Sequence, residues 1–409
     1  MRGKNFDGLI SREGAIKDLF TAWKPVVREE FVPLDRACGR ITSRQIVAEV
    51  THPVHRISAC DGIAVQSSDF VSSMPDYTTW QEGIDYVRAD TGDDFPDAFD
   101  AVVMIEEVDF DDQGRIVYIS EDIEVTAGNH TVPRGADVKA GDIVLEANMP
   151  IRPTDLMALA FAGCRMVPVH KKPKVALIPT GSELISSTMH PKRGETIDTN
   201  SLFIRECILA AGGDPLIFPV IIDEKNELAK ALDQALLTAD IVIINGGTAK
   251  GEEDYNVDLI KRRGCILHHY VAAAPGRPMA IGLIEEIPII NLPGPPVAAF
   301  FGMDWCVSAV IERALHIPHW IKETVVCTLA ADIRSNPKMA ILNRVDVIRV
   351  NDNYVAIPRN FANTTTPKLL TTNGMYVSPV GEEIRKAGEK IVVELLRSKN
   401  FIKEVDDRK

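Results

Sequence analysis

"DIVIINGGTAKGEED", residues 240–254, is the stretch whose reading decides the fold. An apolar run breaks into a glycine-rich turn and ends on three acids. Gly246, Gly247 and Gly251 permit positive φ and close backbone approach, and a helix is expected to begin near Tyr255. Unpaired N–H groups and the helix dipole at such a place favour a phosphate or similar anion. Carboxylates beside it would repel that anion unless a divalent cation lies between them. Asp254, with Glu252 and Glu253 as lesser candidates, is therefore a candidate oxygen ligand for Mg²⁺. The other reading is a plain strand-to-helix connection whose acidic first turn stabilises the helix, and the G-G-x-x-x-G spacing taken alone favours it.

Working outward, "KVALIP" from Lys174, a helix over Leu202 to Ala211 stopped by Gly212-Gly213, "LIFPVII", a helix around Leu228, Leu232 and Leu236, and "DIVIINGG" alternate regularly. Continuous apolar strands between amphipathic helices imply a parallel sheet covered on both faces, with ligands outside the carboxyl ends of its strands. Loops leaving those ends converge on one rim. "PTGSEL" offers the Thr180 and Ser182 hydroxyls, the Gly181 turn and the Glu183 carboxylate for hydrogen bonding and metal ligation; an ordinary turn with a solvated Glu183 fits equally. "DTNSLF", from Asp198, reads as a cap cluster of Thr199, Asn200 and Ser201 or as a polar grip on a ligand, and capping is the reading adopted. "NLPGPPVAAFF" puts Gly294 in a tight turn and Pro296 in a first helical turn, either a second anion-accepting helix start or a rigid entry to a buried helix. "AAPGRP" holds Arg277 between Gly276 and Pro278, stiff enough to meet an oxyanion, or simply exposed on a loop.

Elsewhere, Ser11 caps a helix with Ile16, Leu19, Phe20 and Trp23 on one face. From Thr51 to Asn129 the texture is short β runs divided by Gly, Pro and Asp; after Leu315 it turns β again, with "AILNRVDVIRV" and "YVAIP" as a hairpin and "KIVVELL" as a closing strand. The expected division is 1–50 with 130–170 as a mixed N-terminal domain, 51–129 as an inserted β-rich domain, 171–321 as an α/β domain and 322–409 as a C-terminal β domain. "ISACDGIAV" places Asp61 ahead of Gly62 in a sharp turn, open to a general-base, metal or pterin role or to a common D-G turn. "RADTGDDFPDAFDAVVM" presents Thr91-Gly92 among acids. Cys60 has no adjacent base, which argues against a nucleophile.

Acids outnumber bases 58 to 45, a net charge of −13 that disfavours nucleic acid and anionic membranes. Seven scattered cysteines without a C-x-x-C pair indicate a reducing compartment and no structural zinc. No run reaches the roughly 18 to 20 apolar residues of a membrane span, and "MRGKNFDGLISREG" lacks a signal core, so a cytoplasmic protein is expected.

The ordered series "SACDGIAV", "TGDDFPDAFDAVVM", "RGADVKAGD", "PTGSEL", "DTNS", "NGGTAKGEED", "APGRP" and "LPGPPV" resembles the MoeA/gephyrin E-domain family of molybdopterin molybdenumtransferases, over nearly the whole chain. The resemblance implies a three-layer α/β molybdopterin-binding domain, a mixed N-terminal domain carrying an inserted β-rich domain, and a C-terminal β-barrel-like domain, assembled as a homodimer. It implies an enzyme that takes adenylylated molybdopterin and molybdate or tungstate with Mg²⁺, releases AMP and inserts the metal. It further implies transient contact with a molybdopterin adenylyltransferase or a molybdoenzyme. Matching acids are Asp61, Asp137, Asp142, Glu183, Asp198 and Asp254, of which Asp61, Glu183, Asp198 and Asp254 are taken as catalytic and Asp254 with Glu183 as metal ligands. Thr91, Thr180, Gly181, Ser182, Gly246, Gly247, Gly251, Arg277, Pro293, Gly294 and Arg344 are taken as cofactor-binding. The family's K-P-G-K-P reads Ala274-Pro275-Gly276-Arg277-Pro278, its P-G-N-P-V-S reads Pro293 to Ala298 without the amide and hydroxyl, and its G-G-x-S carries Ala249 followed by Lys250. The alternative is a family-derived carrier or sensor that binds molybdopterin or the finished cofactor without chemistry.

Overall fold

The computed structural model describes residues 8–222, 224–247 and 255–405. They divide into two compact units, residues 28–170 and the remainder on either side.

In the second unit, Ser11 caps α1 (Arg12–Ala22), its hydroxyl accepting from the Gly14 N–H at 3.0 Å. The chain then runs through β1 (Lys174–Pro179), α2 (Asn200–Ala210), β2 (Asp214–Ile217), α3 (Lys225–Thr238), β3 (Ile241–Asn245), α4 (Tyr255–Arg263), β4 (Cys265–His269), β5 (Ala280–Ile284) and β6 (Ile287–Leu292). A helical segment follows as α5 (Pro296–Gly302), a π-helical turn (Met303–Val307) and α6 (Ser308–Ala314).

The six strands lie in the order β2-β1-β3-β6-β5-β4. Every residue of β3 is buried, and all of β1 after Lys174, because both faces are covered. Side chains alternate between the faces: Val175, Leu177, Ile241 and Ile243 meet Ala15 and Leu19 of α1, Trp23 just after it, and Ile204 and Ile208 of α2. Ala176, Ile178, Val242 and Ile244 meet Leu228 and Leu232 of α3 with Leu259 and Ile260 of α4. The parallel sheet expected from the sequence holds for β2, β1, β3 and β6, whereas β5 runs antiparallel to both neighbours. Only Glu285 and Glu286 separate β5 from β6, with Glu285 at φ 54°, and so short a connection joins antiparallel strands only.

Beyond α6, five strands close on themselves: β7 (Thr324–Leu329), β8 (Ala340–Val350), β9 (Asn353–Arg359), β10 (Gly374–Ser378) and β11 (Lys390–Leu395), paired β8-β9-β7-β11-β10 and back to β8. The β8–β9 turn has Asn351 and Asp352 both at positive φ, 46° and 64°, which matches the right-handed twist of the flanking strands. Val325, Cys327, Val345, Val347, Ile391 and Val393 fill the interior.

In the unit of residues 28–170, Glu29–Pro33 pairs antiparallel with Met166–His170, and the helix Pro153–Phe161 packs Leu159 against Ile46, Ile151, Val167 and Val169. The β-rich stretch has its own core: Gly62–Val65 lies between Tyr86–Ala89 and Ala101–Met104, beside the hairpin Val108–Phe110 and Ile116–Ile119. Among the described residues no helix is long and apolar enough to cross a membrane.

Leu177 is fully buried in a central strand, while Leu237 is 86 % exposed. Leu177→Ala is expected to lower the urea-unfolding midpoint by an amount equivalent to about 2–5 kcal/mol. Leu237→Ala should stay within about 0.5 kcal/mol of the parent in the same measurement.

Candidate functional site

β1, β3 and β6 are adjacent and parallel, so their exit loops share one edge of the sheet. Backbone bonds continue the pairing one residue past the strands: the Thr180 N–H donates to the Asn245 carbonyl at 2.9 Å and the Gly246 N–H to the Leu292 carbonyl at 3.1 Å. A Cβ on Gly246, which sits at φ 115°, would lie 2.4 Å from the Thr180 carbonyl oxygen. Glycine is what lets those two loops touch. The Cβ position of Gly294 lies 3.8 Å from the Gly246 Cα, and that of Gly276 3.7 Å from the Ala298 carbonyl oxygen, so "LPGPPVA" stands between the glycine turn and "APGRP". Thr180, Gly246, Gly294 and Gly276, with the residues beside them in the described parts of these loops, thus lie along one rim.

Four buried asparagines tie that rim together. The Asn245 amide nitrogen donates to the Pro293 carbonyl at 2.9 Å, and its side-chain oxygen accepts from Asn200 at 2.9 Å. The same Asn200 amide reaches the Gly294 carbonyl at 2.7 Å. The Asn256 amide nitrogen donates to the Gly246 carbonyl at 3.0 Å and to the Asn291 side-chain oxygen at 3.2 Å. Asn291 is fully buried, and its amide nitrogen has no partner among the described residues. The sequence reading weighed Asn200 as a cap or a polar grip and left the other three unnamed, although "IVIIN" and "IPIIN", two apolar runs each closing on a polar amide, carry a visible signal.

The expected site residues distribute as follows. Thr180 is buried, with its hydroxyl 3.4 Å from the Asn245 carbonyl; Gly181 follows it, and Ser182 is exposed. Glu183 is exposed with its carboxylate against Gly181, where a Cβ would meet it at 2.9 Å. Leu184–Ile185 pairs in parallel with Thr196–Ile197, which puts Glu183 and Asp198 at opposite ends of that ribbon, about 10 Å apart along it. Asp198 accepts from the Ser201 N–H at 3.0 Å, so the side-chain bond at the start of α2 comes from Asp198, one residue ahead of the N-cap Thr199, which makes none, while Asn200 serves the rim. This corrects the cap cluster read from the sequence, because Asn200 finds acceptors on two distant loops that local spacing does not reveal.

Gly246, Gly247, Pro293 and Gly294 lie on the rim itself. Arg277 stacks its guanidinium over Tyr270 at 5.4 Å. Arg344 is only 3 % exposed, on the face of β8 opposite to the interior residues Val345 and Val347. Its guanidinium donates to the Leu369 and Leu370 carbonyls and the Thr372 hydroxyl and lies over the Phe300 ring at 4.7 Å. Burial lowers its pKa to about 10, so it stays charged at neutral pH, and an anion reaches it only if those bonds open. Gly251, Glu252, Glu253 and Asp254 lie outside the described residues, as do Ala249 and Lys250.

In the other unit, Asp61 is exposed and accepts from the Thr91 N–H at 2.7 Å and the Thr91 hydroxyl at 2.8 Å. Those two bonds, the backbone one first, hold its carboxyl below the ordinary range. Asp137 pairs with His52 at 2.8 Å, and Asp142 closes a turn by accepting from the Lys139 N–H at 2.8 Å. Burial, then the charges of Glu106 and Asp61, raise the Cys60 thiol, which keeps it protonated and unreactive at neutral pH.

Among the described residues no group of three or more His, Cys, Asp or Glu side chains is placed to hold a metal ion. Glu183 is the described carboxylate beside the rim, Asp198 being engaged as a cap. One or two carboxylates with ligand phosphates suit Mg²⁺ shared with a substrate, rather than a metal caged by protein alone.

Comparison with known proteins agrees along the chain. A family model described as "MoeA N-terminal region (domain I and II)" matches residues 10–163, and one described as "Probable molybdopterin binding domain" matches residues 176–313. A molybdopterin molybdenumtransferase of Haemophilus influenzae is 30% identical over 306 residues, covering 72% of this chain and 74% of the relative. A protein of the same description from Bacillus subtilis is 26% identical over 392 residues, covering 91% and 90%. The crystal structure of a molybdopterin biosynthesis MoeA protein from Pyrococcus horikoshii aligns with TM-score 0.71 at 26% identity, over 95% of this chain and 100% of the other.

Gly246→Ala is expected to cost about 2–5 kcal/mol, from a strained positive φ together with the overlap at Thr180, and to show as a lowered melting temperature. For Asp61, a folded pKa below the unfolded value means a contribution to stability present above about pH 4 and lost as pH falls through the folded pKa. Thr91→Val removes the hydroxyl bond and keeps the N–H bond. It should move the Asp61 titration, followed by carboxyl-carbon NMR, part of the way back toward the ordinary range.

Proposed function

We propose a reaction for this chain on one premise, that it belongs to the MoeA family of molybdopterin molybdenumtransferases. It is a transferase of molybdenum cofactor biosynthesis. The finer reading is that it takes adenylylated molybdopterin and molybdate, or tungstate, as substrates. Water attacks the pyrophosphate, the bond to AMP breaks, and molybdopterin keeps its own phosphate. One molybdate oxygen leaves as water with the two dithiol protons as both sulfurs bind the metal.

The observation that carries this reading is the convergence of Thr180-Gly181, Gly246-Gly247 and Pro293-Gly294 on one rim at the carboxyl ends of β1, β3 and β6. A rim built of backbone, with few side chains in the way, suits a pyrophosphate. Mg²⁺, when bound, would neutralise charge on the phosphates, with Glu183 and, outside the described residues, Asp254 as its protein ligands. Asp61, held ionised by Thr91, is suited to grip a pterin N–H as an acceptor rather than to take up a proton. Arg277 supplies positive charge on the loop where the family's pattern has lysines. A homodimer in the cytoplasm, passing its product to a molybdoenzyme, completes the reading. The carrier or sensor alternative rests on Ala249, Ala274 and Ala298 alone, and the relatives above bear the enzyme's name rather than a carrier's.

Purified protein given adenylylated molybdopterin and Mg²⁺ should release AMP on addition of molybdate or tungstate, followed by chromatography; no release with either oxyanion, despite tight nucleotide binding, would return the reading to a carrier. Arg277→Ala should weaken the oxyanion dependence of AMP release about tenfold or more, the worth of one charge-assisted hydrogen bond, and leave nucleotide affinity nearly unchanged.

A further inference from the structure

The rim's hydrogen bonds have a direction. In a trans peptide the carbonyl and the following N–H point to opposite sides of the chain. Asn256 holds the Gly246 carbonyl inward at 3.0 Å, so the Gly247 N–H faces the other way. Asn245 holds the Pro293 carbonyl inward at 2.9 Å, so the Gly294 N–H likewise turns outward. Gly246 and Pro293 are buried, whereas Gly247 is exposed and Gly294 half-buried, which puts both N–H groups on the solvent side. Neither donates to another described residue. In "PGPP" the three prolines have no N–H at all, so Gly294 is the single backbone donor from 293 to 296.

The amide orientations are fixed by chemistry. The Gly246 carbonyl and the Pro293 carbonyl only accept, so the nitrogen of each asparagine must face its carbonyl. Asn291 backs Asn256 by accepting its second N–H at 3.2 Å. A Cβ on Gly247 would strike the Asn256 amide nitrogen at 2.5 Å, so loop and clamp fit only with glycine there.

We propose that Asn256 and Asn245 are positioning residues for phosphate binding: by drawing two carbonyls inward they aim the Gly247 and Gly294 N–H groups outward as a pair of donors on adjacent loops. This rests on the reading of the rim as a pyrophosphate site. The asparagines touch no phosphate themselves. Their contribution is pre-organisation, because a peptide already turned need not reorganise when the anion arrives.

The test uses the full chain and inorganic pyrophosphate with Mg²⁺ as the probe. In protein labelled with 15N-glycine, the Gly247 and Gly294 amides should shift on titration while distant glycines such as Gly374 stay still. Asn256→Asp keeps the size of the side chain but replaces the donor with an anion facing the Gly246 carbonyl. Asn291 can rotate to greet the carboxylate; the carbonyl cannot. Pyrophosphate affinity, taken as a ratio to the parent at each pH, should fall about tenfold or more at pH 8 and recover toward unity near pH 5, as protonation restores one donor. A folding defect from the buried carboxylate would follow the same proton, so the variant's melting temperature at pH 8 is measured too, and the affinity loss counts only with the variant folded at the temperature of the titration. Binding without shifts at Gly247 and Gly294, or an Asn256→Asp variant that binds like the parent at pH 8, overturns the inference and leaves the pyrophosphate reading standing. Failure of the parent protein to bind pyrophosphate at all overturns both.

Discussion

One buried side-chain amide sets the geometry on which the rest of the rim depends. Asn245 ends the central strand β3, donates to the loop after β6 and accepts from the start of α2. An amide taken out of water without partners costs on the order of 1–3 kcal/mol by protein mutational measures, so it is tolerated only where its partners are in place. Its partners belong to segments distant in sequence, Asn200 and Pro293. The loops are therefore ordered together or not at all, and the rim forms only once the sheet and its covering helices have packed.

That dependence explains the division of labour along the strands. Below the edge, Val242, Ile243 and Ile244 bury apolar surface on both faces of the sheet. At the edge, polar amides take over, because the backbone leaves the ladder there and its carbonyls need donors. Glycines at the crossing points allow one backbone to lie against another, and prolines at 293, 295 and 296 stiffen the loop that must hold its shape. The amide nitrogen of Asn291 and one guanidinium nitrogen of Arg344 are among the buried polar atoms that have no partner among the described residues. They flank α5 in different ways: Asn291 precedes the loop that starts it, and Arg344 lies over Phe300 within it.

Much of the fold was legible in local pattern. "KVALIP" and "DIVIIN" announced buried strands by unbroken apolar runs; Ser11 announced α1; Asn351-Asp352 announced the hairpin of the closed sheet through two residues that tolerate positive φ. β5 escaped, since "AIGLI" is as apolar as a parallel strand and only the two-residue link to β6 reveals its direction. The capping bond of α2 falls to Asp198 rather than to Asn200 for a similar reason. A cap is judged by spacing, but the partners of Asn200 lie 45 and 94 residues further along the chain. Arg344, aligned by motif with an anion ligand, is turned instead to carbonyls at the end of a short helix, a choice made by burial.

The sequence by itself determined which segments become strands, where the glycine loops break, and to which family the chain belongs, because apolar periodicity, turn chemistry and motif order are properties of neighbours along the chain. Only the tertiary structure decided that Asn200, Asn245, Asn256 and Asn291 meet, and which peptide groups face outward. A hydrogen bond between distant residues is fixed by the packing of whole elements, and no local pattern records its direction.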